Sequence, residues 1–382
     1  MKNKLVYADN AATTKLSKAA LDTMMPYLTD RFGNPSSLYS IGRDAKNAVE
    51  NARNKLASAI GALPNEIYFT SGGTESNNWA LKSAVESSKT KGKHIISSKI
   101  EHPSVLNILK DLEKSGYEIT FLGVDERGQI SLDELNGAIR SETILISLMT
   151  ANNEIGTVLP VNEIGKIAKE NNVLFHTDAV QAVGKIPVNV KEMNADLLSF
   201  SAHKLGGAKG AGGLFIKKGL RLFPLLHGGK QERGGRSGTE NVAGIVSLAA
   251  ALEEALSHLP LIKVSKMRDR LIEGLLKIPR SHLTGDPINR LPGLASFVFD
   301  GIEGEALLLS LDQYGICASS GSACSSGSLD PSHVLLSIGL PYELAHGSLR
   351  LSLNSDNTDE EMDYILEKIP EIVAKLREGE NP

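Results

Sequence analysis

From Glu66 to Ile216 the chain alternates short apolar runs with stretches of helical periodicity. The runs are Ile67–Thr70, His94–Ser97, Ile119–Leu122, Ile144–Leu148, Val173–Phe175, Leu197–Phe200 and Gly213–Ile216. Helical patterns fall between most of them; Val161–Asn171, for example, places Ile164, Ile167 and Ala168 on one face. This alternation demands an α/β domain, because parallel strands need long, usually helical crossovers that cover both sheet faces. The runs predict a mainly parallel seven-stranded sheet. Ligands in such sheets sit beyond the carboxyl ends of the strands.

Around Pro260 the pattern changes to a helix over Lys263–Ile278, a strand at Ser296–Phe299, a helix over Glu303–Tyr314 and a last strand at Ser348–Leu353. A final helix from Asp359 aligns Met362, Ile365, Leu366, Ile369, Ile372, Val373 and Leu376, and Pro370 is expected to kink or interrupt it. At 382 residues the chain exceeds the usual single core, and this second pattern reads as a smaller α+β domain. The net charge of −4 gives no footprint for nucleic acid or an anionic membrane. No apolar run approaches the ~20 residues of a membrane span, and no long apolar stretch follows Met1, so a cytoplasmic protein is expected. The two cysteines, Cys317 and Cys324, have neither zinc nor CxxC spacing, and no metal site is expected.

Lys204 closes the run Leu197–Phe200 and is followed by glycines, and Asp178 closes Val173–Phe175. A lysine and an acid leaving such strand ends suit pyridoxal 5'-phosphate (PLP): the amine bonds the aldehyde and the acid pairs with the pyridine nitrogen. A surface lysine and a helix-capping aspartate are the plainer alternatives. Ser71–Asn78 follows the first strand and opens a helix, which fits a phosphate cup or an ordinary cap at Thr74. His102 follows the second strand, where an imidazole can stack on a flat ring or serve structure alone. Asn152 and Asn153 follow another strand, and Gln181 lies three residues beyond Asp178. The Gly/Arg-rich loop Gly228–Thr239 reads as mobile and able to close on an anion. Cys324, among serines and glycines, reads as an accessible thiol. Cys317 reads as a core strand residue, and Arg350 as a carboxylate clamp or an interdomain ion pair.

In this order the features resemble the PLP-dependent cysteine desulfurases of the NifS/IscS type, members of the class-V aminotransferase family with the fold-type-I transferase architecture. The resemblance rests on Asp9–Thr14, Phe32–Ser37, Thr70–Asn78, Glu101–Ser104, Asn152–Gly156, Asp178–Gln181, Ser199–Lys204, Arg236–Thr239 and Gly321–Cys324. It implies a large PLP-binding domain over 15–260 and a small domain formed by 1–14 and 261–382, with a long, mobile cysteine loop over about 318–332. It implies that Lys204 is the Schiff-base lysine, Asp178 the partner of the ring nitrogen, Gln181 the partner of the phenolate oxygen and His102 the stacking residue. Gly73, Thr74, Ser201 and His203 are implied to hold the phosphate, and Thr239 to reach the phosphate in the neighbouring subunit of a homodimer. Asn153 and Arg350 are implied to hold the substrate carboxylate, with Asn34 as a helper. Cys324 is implied to attack the sulfur of L-cysteine, giving alanine and a persulfide. That sulfur then passes to an iron–sulfur scaffold or other acceptor protein, and Cys324 could contact a cluster during transfer. A selenocysteine lyase, or another PLP-dependent transferase of the same fold, is the alternative; an aminotransferase needs no thiol.

Overall fold

The computed structural model describes residues 5–220, 223–321 and 330–379. The strands are β1 (Val6–Tyr7), β2 (Ile67–Thr70), β3 (His94–Ser98), β4 (Glu118–Leu122), β5 (Thr143–Ser147), β6 (Leu174–Asp178), β7 (Leu197–Ser201), β8 (Gly212–Ile216), β9 (Ser281–Leu283), β10 (Leu294–Phe299), β11 (Ile316–Cys317) and β12 (Ser348–Ser352). The helices are α1 (Lys18–Leu28), α2 (Ser40–Ala59), α3 (Gly73–Ser88), α4 (Pro103–Lys114), α5 (Leu132–Ala138), α6 (Val161–Glu170), α7 (Val242–Ser257), α8 (Ile262–Leu275), α9 (Gly304–Gln313), α10 (His333–Ser337), α11 (Tyr342–His346) and α12 (Asp359–Gly379).

The seven strands expected from the apolar runs form one sheet in the order β2-β8-β7-β6-β5-β3-β4. Only β8 runs against the others, pairing antiparallel with both β2 and β7. Side chains alternate between its faces, so Phe175, Leu198 and Phe200 enter one core with α2, α6 and α7. Leu174, Leu197 and Leu214 enter the other, with α3 and α4. Both faces are therefore covered, as a parallel sheet requires. The sheet's direction puts the carboxyl ends of β2, β3, β5, β6 and β7 at one edge.

The second core gathers Val6 and Ala8 with α8, α9, α12 and the sheet β12-β10-β9. The N-terminal segment is tied there by the parallel pairing of β1 with β11 and by Asn10, whose amide donates to Ser352 O at 2.9 Å. α12 runs uninterrupted through Pro370. Its buried face continues on both sides of the proline, from Met362 and Ile365 to Ile372 and Val373, and this packing outweighs the lost backbone bond. Cys317 is half-buried and not a core residue, because β11 belongs to a two-stranded edge. No single helix among the described residues is long and apolar enough to cross a membrane.

Candidate active site

A cavity of about 230 Å³ opens at the carboxyl edge of the large sheet. Its wall includes Gly73, Thr74, His102, Asn153, Asp178, Gln181, Ser201, His203, Lys204 and Arg350. Ten of the expected site positions thus meet in one place. Three do not. Asn34 is exposed, and its side chain accepts the Ser36 amide in a local turn. Thr239 is exposed and lines no part of this cavity. Cys324 lies outside the described residues.

Lys204 leaves β7 on a short 3₁₀ turn over Ala202–Lys204. Its Nζ donates to the carbonyls of Ala11 and Ala12, each at 2.6 Å. Ala11 and Ala12 thereby form part of the cavity wall. Asp178 ends β6 with Oδ1 accepting from Val180 N at 2.9 Å. Its Oδ2 accepts from Asn77 Nδ2 at 2.7 Å, and the same Nδ2 donates to Ser104 Oγ at 2.8 Å.

His102 caps α4, with Nδ1 accepting from Ser104 N at 3.1 Å and lying 2.8 Å from Ser104 Oγ. The ring proton therefore sits on Nε2. Burial holds the His102 pKa below its ordinary value; Asp178 opposes this, while Lys204 and His333 reinforce it. A neutral, oriented ring results. His203 is lowered further, to about 4, by burial and the lysines around it.

The turn between β2 and α3 explains its glycines. Gly72 has φ 154°, in the region that favours glycine, and a Cβ on Gly73 would lie 2.6 Å from Val180 Cγ2. The α3 N-terminus follows with Gly72, not Thr74, as the cap residue. Beside it, Ser201 Oγ is buried without a hydrogen-bond partner. An orphaned hydroxyl, a close glycine turn and a helix N-terminus fit an anionic group such as the phosphate of PLP.

Arg350, on β12, enters from the second core. It donates to Asn153 O at 2.9 Å and pairs with Asp9 at 2.9 Å, while its Nε is buried without a partner. Glu154, one residue beyond Asn153, is buried and accepts from Ser332 Oγ.

The glycine-rich loop before α7 is tied into the fold by two of its side chains. Glu232 is buried and accepts from Arg53 at 2.8 and 3.0 Å and from Phe69 N at 2.9 Å. Arg236 pairs with Glu75 at 2.8 Å. The residues to which sequence reasoning gave no role are Asn77 and Ser104, which line the cavity, and Asp9 and the buried Glu101 beside it. Asn77 had one legible signal, its position one helical turn after Gly73. Among the described residues no cluster of His, Cys, Asp or Glu is arranged to hold a metal.

The aminotransferase class-V family model matches residues 6–365. A cysteine desulfurase IscS of Methanosarcina thermophila is 57% identical over 377 residues, 98% of this chain and 93% of its own length. One from Dictyoglomus turgidum is 52% identical over 375 residues, 97% of this chain and 95% of its own. Among solved structures, a NifS-like protein superposes with a TM-score of 0.92 at 40% identity, covering 97% of this chain and all of its own. A structure titled SspA in complex with cysteine gives a TM-score of 0.82 at 37% identity, over 91% of this chain and 98% of its own. PLP is the cofactor of this family, and the orphaned Ser201 hydroxyl and the Asp178–Lys204 pair of strand ends fit it. The chain belongs to the class-V aminotransferase family, in its cysteine desulfurase branch.

Proposed function

We propose that this enzyme removes sulfur from L-cysteine, giving L-alanine and a persulfide on Cys324. The convergence of Lys204, Asp178, His102, Gln181 and Arg350 on one cavity carries the reading. When bound, PLP supplies an electron sink for the electrons released at the substrate Cα. Asp178, held by Asn77 and Val180 N, would pair with the ring nitrogen. His102 offers a neutral ring for stacking, and Gln181 an amide donor for the ring oxygen. Gly73, Thr74, Ser201 and His203 would hold the phosphate. Arg350 and Asn153 orient the substrate carboxylate, and Lys204 Nζ moves the proton at Cα. The Cys324 thiolate attacks the substrate sulfur: an S–S bond forms, the C–S bond breaks, and the carbon takes up a proton. L-cysteine and one enzyme thiol thus become L-alanine and one persulfide. A selenocysteine substrate would use the same groups.

The persulfide is then delivered to an acceptor protein, an iron–sulfur scaffold being the acceptor suggested by the IscS relatives. The working unit is a homodimer in which Thr239 serves the partner's site. Support comes from Thr239's exposure and from apolar side chains left open on the segment between α1 and α2, Leu38 at 89% and Phe32 at 71% exposed. The chain divides into two domains, 15–260 and 1–14 with 261–382, a reading supported by the two largest cores, one in each. The cytoplasm, where thiols stay reduced, is the proposed compartment. The test is to incubate the PLP-loaded protein with L-cysteine and measure alanine and protein persulfide. Cys324→Ser is expected to keep the bound-cofactor absorbance and lose both products; unchanged sulfide release would remove Cys324 from the reaction.

A further inference from the structure

We propose that Lys185 is a positioning residue that fixes the Gln181 amide, so that Nε2 and not Oε1 is presented to the ring oxygen of the cofactor. This rests on the role proposed above for Gln181.

Gln181 lines the cavity and Lys185 does not. Lys185 Nζ donates to Gln181 Oε1 at 2.7 Å, and Gln181 Nε2 donates to Ala11 O at 3.0 Å. A carbonyl can only accept, so Ala11 O takes Nε2, and Lys185 in its ammonium form, which the bond to Oε1 favours, can only donate. Turning the amide by half a turn would set NH₂ against the ammonium and Oε1 against Ala11 O. Both neighbours therefore specify one orientation, with the donor on the side of Ala11. Ala11 O is also shared with Lys204 Nζ, at 2.6 Å. Lys185 is thus the partner that binds Gln181 alone.

The surroundings of Lys185 give no other reason for a lysine there. Among the described residues it forms no ion pair with a carboxylate, and its side chain bonds the neutral amide of Gln181. Burial, Lys204 and Arg350 pull its pKa down to about 7. Desolvating an ammonium beside two cations is unfavourable, and an apolar residue at this position would avoid that cost. What it would lose is the bond to Oε1.

The experiment compares holoenzymes carrying Lys185→Met, Lys185→Arg, Gln181→Ala and the Lys185→Met/Gln181→Ala pair. The readouts are the maximum of the bound-cofactor visible band and the rate of PLP release on dialysis. Gln181→Ala is expected to shift the band and speed release. Lys185→Met is expected to shift the band in the same direction and speed release about tenfold, the worth of one charge-assisted hydrogen bond. The double variant should match Gln181→Ala, and Lys185→Arg should restore part of the wild-type band. A Lys185→Met protein that matches wild type while Gln181→Ala does not overturns the proposal and leaves the Gln181 reading intact. A Lys185 effect that adds in full to Gln181→Ala also overturns it, since the lysine then acts by another route. No change in either single variant removes the Gln181 reading itself, and the proposal with it. If Lys185→Met does not fold, Lys185→Leu replaces it in the same cycle.

Discussion

Arg350, which lines the cavity, and Asp9, 341 residues away in sequence, meet in an ion pair at 2.9 Å. Arg350 is 2% exposed, and its Nε has no partner. A buried guanidinium with a spare donor suits a substrate carboxylate, and a lysine cannot reproduce its planar fork. Arg350→Lys is expected to keep the bound-cofactor absorbance and to raise the KM for L-cysteine by about tenfold or more. Alanine formation measured against cysteine concentration checks this; an unchanged KM would remove Arg350 from the carboxylate subsite.

Asn77 holds Asp178 and Ser104 with one amide nitrogen, and Ser104 holds His102. Asn77→Ala should therefore loosen the ring-nitrogen partner and the stacking residue together. Losing a hydrogen bond to a charged acceptor costs about 1.5–3 kcal/mol. PLP release on dialysis should accelerate at least tenfold, with the far-UV circular dichroism of wild type. Release at the wild-type rate would leave Asn77 a purely structural role.

The sheet was legible because its strands are short, apolar and separated by helical periodicity. The reversal of β8 had a physical signal too: Lys204 to Gly212 is too short for a parallel crossover, so the chain must return antiparallel. Lys204, Asp178 and His102 were legible because each ends or follows a strand at the same edge. Asn77 and Ser104 were not, since polar residues early in helices read as solvated faces or caps. Their partners come from elements far away in sequence. The pinning of the glycine-rich loop was hidden for the same reason: Glu232 finds Arg53, 179 residues away, and composition alone gives that loop the look of a free one.

The Arg53–Glu232 pair yields a prediction about that loop. Both side chains are 4% exposed, and Arg53 also lies over the Phe69 ring at 4.6 Å. Removing one partner of a buried pair leaves an uncompensated charge, at about 3–5 kcal/mol. Arg53→Met and Glu232→Gln should each destabilise on that scale. The double variant should cost clearly less than their sum, because neither charge is then stranded. Urea unfolding of the four proteins gives the cycle; strict additivity would mean that the pair is not coupled.

Glu101 supplies the pH prediction. It is 1% exposed, its Oε1 accepts from Ser98 Oγ at 2.8 Å and Met149 N at 2.9 Å, and its Oε2 is buried without a partner. Burial pushes its pKa up to about 8, and the nearby Asp178 adds to this. The folded protein thus keeps this carboxyl protonated at pH 7, while the unfolded chain ionises it near the ordinary 4.5. Between those values the folded state binds more protons, so stability falls as pH rises; the contribution is fully present below pH 4.5 and lost through pH 8. At about 1.4 kcal/mol per pH unit, the loss from pH 4.5 to 7 is on the order of 3 kcal/mol. Glu101→Gln keeps a carbonyl for Ser98 and Met149 N, puts an uncharged amide in place of Oε2, and does not titrate. It should match wild type within about 1 kcal/mol near pH 4.5. It should then become progressively the more stable protein toward pH 8. Urea midpoints at pH 4.5, 6, 7 and 8 test this, and parallel curves for the two proteins would mean that Glu101 titrates as an ordinary carboxylate.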